Sequence, residues 1–250
     1  MRNVARYNVL GTIAGMLLAL PPIGNAQNPT PPNEPKDAIQ PDPEWKSIGN
    51  SLWFDRKERR LVVRTRVVLR EGPLEHFLCL KGTKEHEAIL ATDAQARRIH
   101  AGLLLTGAVP GHPVRFNPKF EPPAGTQLAL DVEWKEKGRI RRSDARRWIR
   151  DSKTKKSLAQ SWVFAGSELY EDPASGKKIY AAEEGDLITV ANFGSAILDL
   201  PFASSADNAD RMFMAETDVI PPVGTEVLLF LKPLKAQEKS SEKNPSKKAE

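Results

Sequence analysis

The chain has 250 residues, 40% hydrophobic and 28% charged, with a formal net charge of +5. That composition excludes a low-complexity or fibrous chain and fits a soluble globular protein of one large or two small domains. With Cys79 as the only cysteine, no intramolecular disulfide can form, and roughly 190 folded residues can bury about 70% of their unfolded surface without a staple.

Residues 1–26 have the pattern of a secretory signal: Arg2 and Arg6, an apolar run over 9–20, Pro21-Pro22, then Gly24-Asn25-Ala26. Cleavage is expected after Ala26, and loss of Arg2 and Arg6 lowers the net charge from +5 to +3. The mature chain is then expected to carry no transmembrane span and to work in the periplasm or outside the cell. Residues 27–45 form a Pro-rich spacer, with six prolines in 27–44.

A globular domain is expected over 46–233, either as one body or as two β-rich halves, followed by a disordered charged tail over 234–250. Leu52-Trp53-Phe54 and the run 60–69 read as two strands joined through the charged turn 55–59. Segments 75–80 and 85–90 flank Lys81-Gly82-Thr83-Lys84, which suggests a hairpin. Thr92 and Gln95 fit a capping box, so the spacing predicts a helix over about 92–106, closed by Gly107 and Pro110. Ser143 is expected to cap a short helix over about 143–151 with Ala145, Trp148 and Ile149 inward. Strands follow at 160–164, 178–182, 187–191, 212–216 and 226–231, with a hairpin turn at 172–176. Pro-Pro-x-Gly-Thr occurs at 122–126 and at 221–225, each time before an alternating strand. An internal repeat and a shared strand-initiating turn both account for this. The predicted class is α+β, β-rich and largely antiparallel, with about ten strands.

Chemistry could lie in the Cys/His cluster. A symmetric hairpin about Gly82-Thr83 would set Cys79 opposite His86, with side chains about 5 Å apart. A cysteine beside a protonated histidine can act as nucleophile, redox group or soft metal ligand. Glu75, Lys84 and Glu87 are close enough in sequence to join such a thiol or metal site. The plainer reading of Cys79, flanked by Leu78 and Leu80, is a small buried hydrophobe. His100 lies by the apolar face of the predicted helix and reads as a hydrogen-bonded core histidine.

Residues 135–156 carry eleven Lys or Arg and three acids. Arg141, Arg142, Arg146, Arg147, Lys153, Lys155 and Lys156 are the candidate anion-binding patch, and a solvated hairpin surface is the alternative. For an exported chain the natural partners are an envelope protein or an anionic envelope polymer, with no nucleic acid. Asp207, Asn208 and Asp210 lack the glycine and terminal glutamate of an EF-hand and read as a polar loop. No G-x-S-x-G elbow, Walker loop or dinucleotide glycine pattern occurs, so no catalytic residue is assigned and no cofactor is expected.

The blocks EHFLCLKGTKEHEAILAT, IHAGLLLTG, SWVFAGS, GDLITVANFGSAILDLP and IPPVGTEVLLFLKP, in that order, resemble the YdjY-domain family of exported bacterial proteins. The resemblance runs from about Ile48 to Pro233. It implies an exported domain, carries no assigned reaction, and matches Glu75, Lys84, His86 and Glu87 as family positions. Members sometimes accompany iron–sulfur proteins, but one cysteine cannot supply the four ligands of a cluster. The expected function is a non-enzymatic cell-envelope binding or assembly module. The alternative is a metal- or thiol-dependent envelope enzyme or redox accessory centred on Cys79, His86 and Glu87.

Overall fold

The run RLVVRTRV alternates around one buried face and still buries Val62 on the other, which is the pattern of a strand covered on both sides. In the computed structural model, which describes residues 38–204 and 213–234, this run is the third of seventeen strands. The strands are β1 (Lys46–Gly49), β2 (Leu52–Asp55), β3 (Arg60–Val67), β4 (His76–Leu80), β5 (Ala88–Thr92), β6 (Pro110–His112), β7 (Ala124–Gly125), β8 (Gln127–Glu136), β9 (Arg139–Asp144), β10 (Ile149–Asp151), β11 (Trp162–Phe164), β12 (Leu169–Glu171), β13 (Lys178–Tyr180), β14 (Asp186–Thr189), β15 (Leu198–Asp199), β16 (Phe213–Ala215) and β17 (Glu226–Pro233). One helix, α1 (Ala96–Thr106), follows β5. The expected signal segment, most of the expected spacer, all but the first residue of the expected charged tail, and Asp207, Asn208 and Asp210 lie outside the described residues.

Eight strands close into a barrel in the order β3-β17-β8-β11-β15-β14-β4-β5, with β5 returning to β3 through Arg66↔Ala91 and Val67↔Leu90. Closure is the architectural feature that strand prediction does not contain. A barrel of eight strands is just wide enough to be filled by its own side chains. Leu61, Val63, Leu130, Val132, Leu229 and Leu231 belong to the main core, together with Phe77, Trp162 and Phe164. Phe77 lies 5.6 Å from Trp162 and 6.4 Å from Trp148, centroid to centroid. On the other face, Val62, Leu228 and Phe230 are covered by Trp45, Trp53 and Ile39. Each such side chain contributes roughly 1.5–3 kcal/mol by leaving water.

Both Pro-Pro-x-Gly-Thr turns lead into long strands, β8 and β17, which lie side by side from Val227↔Trp134 to Pro233↔Leu128. The first turn has a specific need for glycine. Gly125 has φ +148°, and a Cβ there would collide with the Phe164 carbonyl oxygen.

Helix α1 begins later than its sequence suggests. Thr92 is the last residue of β5; its hydroxyl donates to Arg64 O at 2.8 Å across the barrel seam and accepts from Ala94 N at 3.1 Å. Gln95 is the N-cap and makes no side-chain cap bond, so the expected capping box does not form. The C-terminus behaves as expected: Gly107 adopts φ +90° and its N–H returns to Leu103 and Leu104 carbonyls. Ile99 and Leu103 pack into the core against β2 and β3.

The short helix over 143–151 is a correction. The chain there is the end of β9, a 3-10 turn over Ala145–Trp148, and β10. Asp144, not Ser143, accepts from Arg146 N at 2.8 Å. Trp148 is fully buried, so its inward orientation holds although the helix does not.

The segment 75–92 is the largest departure. β4 and β5 pair in parallel, in the register His76↔Ala88, Leu78↔Leu90 and Cys79↔Ala91. They are joined by residues 81–87, which return along the barrel without a helix. β14 and β15 repeat this device: they too are parallel, joined by 190–197. Parallel neighbours normally need a dozen or more connecting residues. These strands are only two to five residues long, so a shorter loop spans the return.

Candidate functional site

The two crossover loops converge on the first residue of β4. Glu87 ends the first loop beside His76, and its carbonyl accepts from both Glu75 N and His76 N at 3.1 Å. The second loop begins after Thr189, the register partner of His76, and its first amide, Val190 N, donates to Glu75 O at 2.8 Å. Phe193 of that loop then stacks on the His76 ring at 5.2 Å and 17°.

His76 is wholly buried. Its Nε2 lies 2.8 Å from Asp186 Oδ1. Ser195 Oγ donates to the other oxygen of Asp186. Burial works to raise the Asp186 carboxyl, but the hydrogen bonds from His76 and Ser195 and the charges of His76 and Lys84 outweigh it and hold it below the usual carboxylate range. Against a carboxylate acceptor Nε2 is the ring nitrogen that donates, and Nδ1 is turned away from Asp186. Nδ1 makes no hydrogen bond and faces Glu87 Oε1 at 3.9 Å. Ligand atoms of Glu75, His76 and Glu87 all lie within 4.8 Å of one another.

Serine, aspartate and histidine are thus linked, but not as a nucleophilic triad. In that arrangement the histidine takes the serine proton and the carboxylate orients the histidine. Here Ser195 donates to Asp186, on the far side of the carboxylate from the imidazole.

The Cys79–His86 pairing is a correction. Parallel strands place Cys79 beside Ala91 and Asp186 in register, and its side chain packs with Ala88, Ala91 and Val68. Burial pushes the thiol up to about 11, only partly offset by the Lys84 backbone and the Thr83 side chain. The His86 side chain is 74% exposed and meets Glu87 Oε2 at 3.6 Å. Glu75 and Glu87 therefore gather around His76, Lys84 sits near Asp186, and Cys79 stands apart. A thiol reagent at neutral pH is expected to leave native Cys79 unmodified and to label it only in urea; stoichiometric native labelling, read by intact mass, would contradict its burial.

His76 is the residue that sequence reasoning missed. The available signal was an ionisable side chain opening the otherwise apolar strand HFLCL, which buries a polar group that needs partners. His100 is half-buried, with Nδ1 2.8 Å from the Tyr180 hydroxyl, which itself donates to Gly166 O at 3.0 Å. Burial lowers its affinity for a proton, partly countered by the Gly166 backbone. His112 Nδ1 approaches the Pro113 carbonyl at 2.9 Å.

The basic patch is spread over the β8–β9 hairpin and the following turns. Arg141 pairs with Glu136 at 3.0 Å, Arg142 with Glu133, and Arg146 with Asp144 at 2.6 Å. Arg147, Lys153, Lys155 and Lys156 are exposed. With Trp148 inside the core, no tryptophan from this turn is free to stack on a ligand.

No helix among the described residues is long and apolar enough to cross a membrane. No curated protein and no solved structure matches the chain. The YdjY domain model matches residues 52–232, from the first residue of β2 to the penultimate residue of β17. That span contains every residue of the His76 cluster and most of the chain, which belongs to the YdjY-domain family.

Proposed function

We propose that the chain is an exported cell-envelope binding module, without an enzymatic reaction of its own, and that the His76 cluster is its ligand site. The supporting observation is the cluster itself. A fully buried imidazole with one bare nitrogen is ringed by Glu75, Glu87 and Asp186 under two crossover loops. A barrel filled by leucine, valine and tryptophan gains nothing in stability from such a group, because buried charges cost more than they return unless fully paired. Perturbed, convergent titratable groups of this kind mark functional sites. The groups that could attack a substrate are committed elsewhere: the Ser195 hydroxyl to Asp186, and the Cys79 thiol to the core. The thiol-dependent alternative therefore loses its centre, while the carboxylates it invoked, Glu75 and Glu87, remain in the site.

The test is native mass spectrometry of the protein isolated from the envelope. A mass above that of the processed polypeptide is expected for the wild-type chain and absent from His76→Phe. Should the wild-type protein carry no added mass, or the variant keep it, the cluster is not the ligand site. The wild-type result decides even if the variant does not fold.

A further inference from the structure

We infer that the ligand of the His76 cluster is a divalent first-row transition ion such as Zn²⁺, bound by His76 Nδ1 and by carboxylate oxygens of Glu75 and Glu87. This rests on the reading of the cluster as a ligand site. Three features lead to it.

The first is a buried ring nitrogen set against carboxylates. His76 is wholly buried, its Nδ1 has no hydrogen-bond partner, and that nitrogen lies 3.9 Å from Glu87 Oε1, with ligand atoms of Glu75, His76 and Glu87 all within 4.8 Å of one another. An ion held between them gives that nitrogen the partner a buried polar atom needs. Ligands about 2.1 Å from a tetrahedral centre stand about 3.4 Å apart, so the nitrogen and this oxygen need to close by only about half an ångström.

The second is charge. Glu75, Glu87 and Asp186 bring three formal negative charges, and Lys84, near enough to act on Asp186, brings one positive. Carboxylates thus outnumber the basic side chain at this buried site, an imbalance that a divalent cation offsets.

The third is the second layer. Metal-bound histidines almost always give their other ring nitrogen to a carboxylate or carbonyl, which sets the tautomer and makes the ligating nitrogen more basic. Asp186 does this for His76, and Ser195 in turn holds Asp186. The Phe193 ring covers the imidazole face, fixing its plane. Glu75 is the least buried of the three ligands and so lies on the solvent side of the site. Imidazole with carboxylates suits Zn²⁺ and its neighbours better than Mg²⁺ or Ca²⁺, which favour all-oxygen sets.

The experiment is calorimetric titration of the chelator-stripped, signal-processed chain with ZnCl₂, repeated with CaCl₂ and MgCl₂. One Zn²⁺ per chain is expected, with affinity at least tenfold above that for Ca²⁺ or Mg²⁺. His76→Ala should lower the Zn²⁺ affinity at least 100-fold. Glu75→Gln, at the more exposed edge of the site, should lower it at least tenfold. Asp186→Asn should weaken it 10- to 100-fold through the histidine alone. His112→Ala, far along the chain, should change it less than threefold. Cobalt loading should give a visible absorption band that His76→Ala abolishes. No Zn²⁺ binding, preference for Ca²⁺, or full binding by both His76→Ala and Glu75→Gln would overturn the inference. A non-metal mass on the isolated protein together with a silent titration would discard the cation and leave the ligand site standing.

Discussion

Asp199→Asn is expected to stabilise the protein at pH 8 by up to about 4 kcal/mol and to leave it unchanged near pH 4. Asp199 lies on β15 with no exposed surface. Its Oδ1 accepts from Thr189 Oγ1 at 2.9 Å, Asn192 Nδ2 at 3.1 Å and Leu200 N at 2.7 Å, while Oδ2 has no hydrogen-bond partner. Burial dominates those bonds and pushes the carboxyl from 3.8 up to about 7. The sign follows from proton counts. Between pH 4 and 7 the folded chain holds this proton and the unfolded chain has lost it, so stability falls as pH rises through that window. About three units at 1.36 kcal/mol each give the stated ceiling. Asparagine mimics the protonated acid at every pH, so the variant loses the slope. Asp186 and Asp144, whose carboxyls are held down, add the opposite slope at lower pH and do so equally in both proteins. The difference between the two urea-unfolding profiles therefore isolates Asp199. Parallel profiles from pH 4.5 to 8 would mean that Asp199 ionises without penalty.

Trp162→Ala is expected to cost about 3–5 kcal/mol, the usual range for deleting a buried tryptophan side chain. The indole fills the barrel against Phe77, and its Nε1 donates to Thr189 O at 2.8 Å. Removing it opens a cavity and leaves a buried carbonyl with one partner fewer. Because Thr189 is the register partner of His76, the loss falls on the strand that frames the site. Trp162→Phe, which keeps most of the volume but not the donor, should cost less than half as much. Urea unfolding measures both; a loss below about 1 kcal/mol for alanine would show that the barrel does not close tightly at β11.

Much of the barrel wall was legible in sequence. The alternation in 60–67 and 226–233 reports a strand because each residue's burial follows from its own parity. Gly107 reports a helix end because the left-handed turn there is local. The failures share a cause. Lys81-Gly82-Thr83-Lys84 has the composition of a hairpin turn, and Gly82 does turn with φ +79°, but the chain then returns to pair in parallel. Nothing within twenty residues distinguishes the two outcomes, since the partner that fixes the direction is β14, a hundred residues on. Thr92 likewise has the residues of a cap, but its hydroxyl is claimed by Arg64 from across the seam. The site was half legible for the same reason. Glu75, Lys84 and Glu87 are near in sequence to their centre, whereas Asp186, Ser195 and Phe193 come from the far crossover. The thiol of Cys79 is the rare group in the sequence but packs in the core, whereas His76 reads as part of an apolar strand and lies between Glu87 and Asp186.

The position of β17 has a consequence for how the chain acquires its structure. The last strand among the described residues lies between β3 and β8, bonded to both along most of its length. Until residues 226–233 emerge, two long strands expose unpaired backbone rims that invite pairing with other chains. The contacts that cover β3 are the more distant in sequence, 160 residues between Arg66 and Glu226, and such pairings place this fold among the slow-forming topologies of high contact order. Closure of the barrel therefore waits for residues 226–233, and a chain stopped short of Glu226 keeps its gap whatever else has formed.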